Sequence, residues 1–331
     1  MRRRAVKRSC SADQPVPESG RRSSLELRKA NSTKVDIESF IPNNRFVGDA
    51  AKDMNKNIRF AINRISASQL SFEAFAAMAQ RLGAEAIEIR NDLAGVELAD
   101  ATPARDIAAI AKAHRLTLRS INALQRFEQY DAAREAEARA LVRYAVESGS
   151  QALVLCPTNS RRDVRSADQR HTDLVHALRQ LQPLLADHGL TGLVEALGFE
   201  ECALRRKSQA VRAIREVGTN TPFALVHDTF HHHLAGEALF FPEMTGLVHL
   251  SGVEDGSLAI SGMRDEHRVL VGPADRLGNV AQLRALLAAG YRGYASFEPF
   301  ASSVVTAADI EPRLSASMAY LSAAVAESAG A

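Results

Sequence analysis

The chain has 331 residues, of which 46 % are hydrophobic and 5 % aromatic, a composition typical of a large α/β protein with an ample core. Residues 1–53 hold 12 Lys and Arg against 7 Asp and Glu, so the rest of the chain is net acidic although the formal net charge is +2. This charge argues against a nucleic-acid partner, and the lack of an apolar run of about 20 residues argues against a membrane partner.

The first 53 residues differ in pattern from the rest of the chain. They are rich in Arg, Ser, Asn and Pro without a helical or strand period, which predicts a disordered extension or, less favourably, a targeting or nucleic-acid arm. Residues 54–331 are predicted to form one domain. The three cysteines, Cys10, Cys156 and Cys202, include no C-x-x-C pair and no disulfide framework, so we expect a cytoplasmic protein.

From Ile58 onward, short apolar runs alternate with longer amphipathic segments, as in successive βα units. Eight such units favour a closed (β/α)8 barrel, or TIM barrel, over an open doubly wound α/β sheet. The strands are predicted at 58–63, 86–91, 117–124, 152–157, 192–197, 223–228, 247–252 and 293–298. The helices are predicted at 71–82, 103–114, 132–148, 172–188, 208–217, 279–289 and 310–326. Glycine ends several helices just before the next strand, at Gly83, Gly149, Gly189, Gly218 and Gly290.

Polar side chains end four consecutive predicted strands, the fifth to the eighth: Glu195 in GLVEAL, Asp228 in FALVHDTF, His249 in GLVHLSG and Glu298 in YASFEPF. Reacting groups of such barrels lie at the carboxyl ends of the strands, so these four should meet. Three carboxylates and an imidazole would oppose each other's ionisation in a partly dry cavity unless a cation neutralised them. The pattern therefore predicts one divalent metal ion, Mn²⁺, Mg²⁺, Co²⁺ or Zn²⁺, although each residue alone could cap a helix or belong to the core.

Other polar residues near the strand ends are candidates for substrate binding. Asn63, Arg90 and Asn122 end the first three predicted strands and could bond to substrate hydroxyls, with loop capping as the alternative. Cys156 ends the fourth strand and is assigned no role, because a cysteine there is more often part of the core.

A run of histidines surrounds Asp228. His231 follows it by three residues and could reach a metal-bound substrate. His232 and His233 are expected to face solvent or to support the site. His227 precedes Asp228 and should point away from the barrel lumen because strand side chains alternate.

The motifs IEIRN, SINAL, VEALGFEEC, LVHDTFHHH, DEHRVLVGP and SFEPF resemble the xylose isomerase-like barrel superfamily and, within it, the 2-keto-myo-inositol (inosose) isomerases. The resemblance covers residues 56–325. It implies an isomerase of myo-inositol catabolism that interconverts keto-inositols by proton transfer through an enediolate. It also implies a small polyol ketone as the partner and a possible homo-oligomer.

The same resemblance assigns roles to residues. Glu195, Asp228, His249 and Glu298 are implied as metal ligands, and the two glutamates also as the acid/base pair. His231 and Arg268 are implied as substrate-binding groups; for Arg268, the alternative is a surface ion pair with Asp265 or Glu266.

Other reactions use the same metal-site frame. An inosose dehydratase, a ketose 3-epimerase and a hydroxypyruvate isomerase remain alternatives, since the segments Gly198–Glu200 and Ser251–Gly252 depart from the pattern of some relatives. The endonuclease relatives of this barrel are disfavoured, because the first four strand ends supply no His or carboxylate in the corresponding places and the body is acidic. A non-catalytic binding barrel is disfavoured by the intact ligand set.

Overall fold

A computed structural model describes residues 58–327, which form a closed barrel of eight parallel strands. The strands follow one another in chain order, and the last pairs with the first. They are β1 Arg59–Asn63, β2 Ala86–Arg90, β3 Thr117–Gln125, β4 Ala152–Cys156, β5 Thr191–Glu195, β6 Phe223–Asp228, β7 Thr245–Leu250 and β8 Tyr294–Phe297. The predicted (β/α)8 barrel is confirmed. The extension predicted for residues 1–53 lies outside the described residues, and the single domain over residues 54–331 stays a prediction.

Helices pack against the strands, so most strand residues are buried on both faces. Within residues 58–327 the helices are α1 Phe72–Arg81, α2 Ala104–Ala113, α3 Ala132–Ser148, α4 Ala167–Ala186, α5 Lys207–Val217, α6 Thr229–Ala235, α7 Asn279–Ala288, α8 Ser302–Val305 and α9 Ile310–Ala326. In α4, the buried Leu174, Leu178, Leu181 and Leu185 repeat at helical spacing and form the face toward the barrel. None of these helices combines the length and apolarity needed to cross a lipid bilayer.

Local signals explain most helix ends. At the start of α3, the Asp131 carboxylate accepts a hydrogen bond from the backbone N–H of Arg134 at 2.8 Å. The same helix ends at Gly149, whose φ of 77° lies in the left-handed region that glycine adopts without steric cost. The other four glycines predicted at helix ends also have positive φ.

Several boundaries differ from those predicted. Helix α4 begins at Ala167 rather than at residue 172, because Ser166 caps it by accepting from the backbone N–H of Gln169. Strand β3 continues to Gln125, so Asn122 does not end it. The short helices α6 and α8 were not predicted, since each is too short to show an amphipathic period.

Candidate metal centre

Four side chains meet at the carboxyl ends of β5 to β8. Glu195 ends β5, Asp228 ends β6, His249 is the last residue but one of β7, and Glu298 directly follows β8. One ligand atom from each lies within 4.8 Å of the other three, and all four residues are buried. The structure thus brings together the four predicted ligands, which are called the ligand cluster below.

The imidazole of His249 lies among the three carboxylates of the ligand cluster. Its Nδ1 is 3.0 Å from Glu195 Oε1, 3.2 Å from Glu298 Oε2 and 3.9 Å from Asp228 Oδ2. Burial opposes the charged imidazolium, but the surrounding carboxylates raise the pKa of His249 well above its usual value. One nitrogen and three oxygen donors, buried and within reach of one another, form a donor set that fits a divalent cation.

Asp228 uses its two carboxylate oxygens differently. Oδ1 accepts from the backbone N–H groups of Phe230 and His231 at 2.8 and 3.0 Å and so caps helix α6. Oδ2 accepts from Arg268 Nη2 at 2.6 Å and faces the ligand cluster. The sequence offered helix capping and metal binding as alternatives for this residue. In the structure, Asp228 both caps a helix and belongs to the ligand cluster.

Arg268 is buried among the acidic groups, with 1 % of its surface exposed. Its Nη2 donates to Asp228 Oδ2 and to Glu298 Oε2 at 3.0 Å, and its Nε donates to Ser251 Oγ at 2.9 Å. A contact with Asp265 also exists, at 3.3 Å. The ion pair with Asp265 that was considered as the alternative therefore exists, but the guanidinium of Arg268 is buried inside the site rather than at the surface.

Glu298 has the largest number of cationic neighbours in the ligand cluster. Arg90 Nη1 donates to its Oε1 at 2.8 Å, opposite the Arg268 contact to Oε2. Burial opposes ionisation, but His249, Arg268 and Arg90 together lower the pKa of Glu298 well below its usual value. Glu195, in contrast, contacts the His249 ring and accepts from the Cys156 thiol at 3.3 Å.

A cavity of about 470 Å³ opens above the ligand cluster. Among the residues that line it are Arg90, Asn122, His231, Arg268, Glu195 and Glu298. Within residues 58–327, the buried Nδ1 of His231 has no hydrogen-bond partner, and neither has the Oγ1 of Thr158, which also lines the cavity. Both atoms are buried polar groups whose hydrogen bonding is unsatisfied within the described residues.

Two of the predicted substrate-binding residues, Asn63 and Asn122, donate hydrogen bonds to acidic side chains of the site. Asn63 is fully buried and does not line the cavity; its amide donates to Glu88 and Glu298, and its Oδ1 accepts from the backbone N–H of Ile65. Asn122 lines the cavity, but its amide donates to Glu88 Oε2 at 2.8 Å.

Glu88 is the site residue that the sequence reasoning missed. It is buried in β2, and its Oε2 lies 3.2 Å from Nε2 of His249. Inspection of strand ends passed over it, because Arg90 ends β2. Since alternate strand residues share a face, Glu88 points into the lumen like Arg90, and this period is the signal that could have found it.

Three further histidines of the LVHDTFHHH motif are His227, His232 and His233. His227 points away from the lumen as predicted, and its ring nitrogens contact Lys207 Nζ at 2.6 Å and Gln282 Oε1 at 2.8 Å. His232 stacks near His227 with ring centroids 4.7 Å apart and is buried, so the expectation that it faces solvent is wrong. His233 is half-buried.

Comparisons with known proteins agree with this architecture. The family model described as "Xylose isomerase-like TIM barrel" matches residues 76–324. The chain belongs to this family. No curated protein sequence matches it significantly.

Solved structures of the family superimpose over most of the barrel. A xylose isomerase domain containing protein from Salmonella typhimurium LT2 is 36 % identical, with a TM-score of 0.74 over 80 % of this chain and 98 % of its own. The IolI protein with a bound zinc atom is 20 % identical, with a TM-score of 0.71 over 81 % and 98 %. D-psicose 3-epimerase with D-tagatose, from Clostridium cellulolyticum H10, is 15 % identical, with a TM-score of 0.65 over 81 % and 99 %. The last two likenesses show the fold alone.

Proposed function

We propose that this protein is a divalent-metal-dependent isomerase of keto-inositols, acting in myo-inositol catabolism. The observation that carries the proposal is the buried ligand cluster at the floor of a cavity of about 470 Å³, a size suited to one small polyol. The zinc atom bound by the IolI protein supports the metal requirement. A small polyol ketone is the partner that we propose, with neither nucleic acid nor membrane needed.

The four residues of the ligand cluster would hold one cation. A bound divalent cation supplies Lewis-acid stabilisation of the negative charge that develops on a ketone and its neighbouring hydroxyl. The choice among Mn²⁺, Mg²⁺, Co²⁺ and Zn²⁺ is left to metal analysis, since each of them accepts oxygen and imidazole ligands.

Glu195 and Glu298 would move the proton. Glu195 lines the cavity and, among residues 58–327, has no arginine contact. It removes the proton from the carbon next to the ketone carbon, and the electron pair of that C–H bond becomes the double bond of an enediolate. A proton is then returned to the former carbonyl carbon, and a second one passes between the two oxygens, so that a ketone forms at the neighbouring position. Glu298, which also lines the cavity, completes the acid/base pair.

Arginine and histidine side chains would orient the substrate. Arg268 and Arg90 both line the cavity with permanently charged guanidinium groups that can donate to hydroxyl or ketone oxygens. His231 lines the same cavity. Together they would fix which carbon faces Glu195.

Incubation of metal-loaded enzyme with a panel of inososes in D₂O tests the proposal. NMR spectra should show an isomeric inosose with deuterium at the former carbonyl carbon, because the carboxyl proton exchanges with solvent between the two steps. Chelator-treated enzyme is the control and should give no product. Absence of turnover for every inosose at full metal loading would reject the proposal.

A second candidate is epimerisation next to the ketone. It uses the same proton abstraction but returns the proton to the same carbon from the opposite side. Such a transfer needs two carboxylates, and both Glu195 and Glu298 line the cavity. D-psicose 3-epimerase, with the same fold, lends support. Deuterium at the carbon that lost its proton, with the ketone unmoved, would favour this candidate, and formation of a dione would favour a dehydratase.

A further inference from the structure

Glu88 lies in β2, one layer below the ligand cluster, and is fully buried. Its Oε2 lies 3.2 Å from Nε2 of His249, whereas Nδ1 of the same ring faces the other three ligands. Side chains from three further strands hold the Glu88 carboxylate in place by donating hydrogen bonds, and they are Asn63, Ser120, Asn122 and Ser296.

This carboxylate has no role in substrate contact. It does not line the cavity, and within residues 58–327 its one ion pair is with His249. A buried carboxylate without a guanidinium or ammonium partner is costly to fold, by several kcal/mol. Its position beneath the ligand cluster, with His249 as its ion-pair partner, therefore indicates a function that depends on His249.

An imidazole can bind a cation through one nitrogen only when the proton resides on the other. The carboxylate of Glu88 is an acceptor placed at Nε2, and it favours the ring tautomer that carries the proton there. Nδ1 then presents a lone pair towards the three carboxylates of the ligand cluster. The donors around Glu88 also fix the plane of the His249 ring.

We propose that Glu88 is a positioning residue for the metal site: it accepts the Nε2–H of His249 and thereby makes Nδ1 the metal ligand. The inference rests on the metal site of the proposed function. The proposal gives a role to Glu88, the acidic residue of the IEIRN motif, although this residue belongs neither to the ligand cluster nor to the lining of the cavity.

Zinc titration of chelator-stripped protein, with a competing chelator to report Kd, tests the role. Glu88→Gln should weaken zinc binding about 10- to 100-fold. The matched control is Glu97→Gln, which alters an equally buried carboxylate that pairs with Arg64 away from the ligand cluster. It should lower the thermal midpoint and leave the Kd for zinc unchanged. Equal zinc affinity in Glu88→Gln and the wild type would overturn the proposal.

A second measurement needs no variant of Glu88. Long-range ¹H–¹⁵N spectra of zinc-loaded wild type identify the protonated nitrogen of each histidine ring, and loss of signals in His249→Gln assigns this residue. We expect the proton on Nε2 and zinc on Nδ1; a proton on Nδ1 would overturn the proposal. Neither measurement uses a substrate. If both give the expected result for zinc but no inosose is turned over, the proposed function is rejected and the role of Glu88 stands.

Discussion

Glu195 and Glu298 contact the same imidazole but have different neighbours. Glu298 accepts from Arg90, Arg268 and Asn63, while Glu195 has a thiol and the imidazole beside it. A carboxylate bound by two guanidinium groups is a weak base, because the charged form is strongly stabilised. We therefore expect Glu195 to be the base that starts the reaction.

Replacement of either glutamate by glutamine should remove the group that accepts or donates the proton and preserve the shape of the side chain. We expect Glu195→Gln and Glu298→Gln to lose about 10²- to 10⁴-fold in kcat at unchanged circular dichroism. The control is Glu243→Gln, an exposed position outside the cavity, which should match the wild type. Near-normal kcat in either glutamine variant would refute the acid/base assignment.

The residues of the ligand cluster could be predicted because each stands at or beside the end of an apolar strand, where barrels expose reacting groups. Of the residues that surround them, several were named as candidates, but their burial and contacts could not be predicted. Arg268 lies in a loop after β7, and its burial depends on the carboxylates of β6 and β8, which no local pattern reveals. Glu88 follows the strand period but lies two residues before the end of β2, below the strand ends.

At the scale of elements, helix α6 holds Asp228 and His231 in place, and Gly198 allows its close approach. A Cβ at Gly198 would lie 2.1 Å from the backbone oxygen of His231 and 2.9 Å from the backbone nitrogen of Ala235. The backbone of α6 would have to move. The segment that follows β5 therefore packs closely against α6, and only a residue without a Cβ fits at position 198.

Gly198→Ala should displace α6 and with it both site residues. We expect a loss of roughly 1–3 kcal/mol in the free energy of unfolding and a raised KM. Gly256→Ala is the matched control, because a Cβ there meets no atom within 4 Å. Denaturant unfolding and steady-state kinetics report both effects; equal results for the two variants would show that the contact is not tight in solution.

Helix α5 places Lys207 in the interior behind β6. Burial lowers the pKa of Lys207 to about 8, below the value of about 10.4 that an exposed lysine has. Between these pH values the unfolded chain binds a proton that the folded protein lacks, so stability should rise with pH. Below pH 8 both states are protonated, and the folded state bears the full cost of burying the charge.

The contribution of Lys207 is best measured as a difference. From pH 7 to pH 10, the wild type should gain about 2.5 kcal/mol in the free energy of unfolding relative to Lys207→Met, as measured by urea unfolding at several pH values. Lys112→Met, at an exposed position of α2, should show no such difference. Parallel curves for Lys207→Met and the wild type would mean that the ammonium group is solvated.

The order of the elements could be predicted because the period of apolar residues changes between strands and helices, and glycines mark the turns. The start of α4 and the existence of α6 could not. Helix α6 has seven residues and is defined by the cap that Asp228 provides, so it depends on a contact rather than on a pattern.

At the scale of the molecule, the ligand cluster joins four consecutive strands around the closed barrel. A cation that binds the folded protein but not the unfolded chain stabilises it by about 2.7 kcal/mol at a concentration of 100 times Kd. For a domain of this size, we expect the thermal midpoint to rise by roughly 5–10 °C when metal is added to chelator-stripped protein. An unchanged midpoint with all four candidate ions would contradict a metal site.

The central claim, that the ligand cluster holds one divalent cation, is tested most directly by calorimetric titration of zinc into chelator-stripped wild type and Asp228→Asn. The asparagine keeps an oxygen to cap α6 and loses the charge that faces the ligand cluster. We predict one zinc ion per wild-type chain and binding weaker by about two orders of magnitude in a folded Asp228→Asn. No zinc uptake by the wild type, or equal uptake by both proteins, would contradict the account.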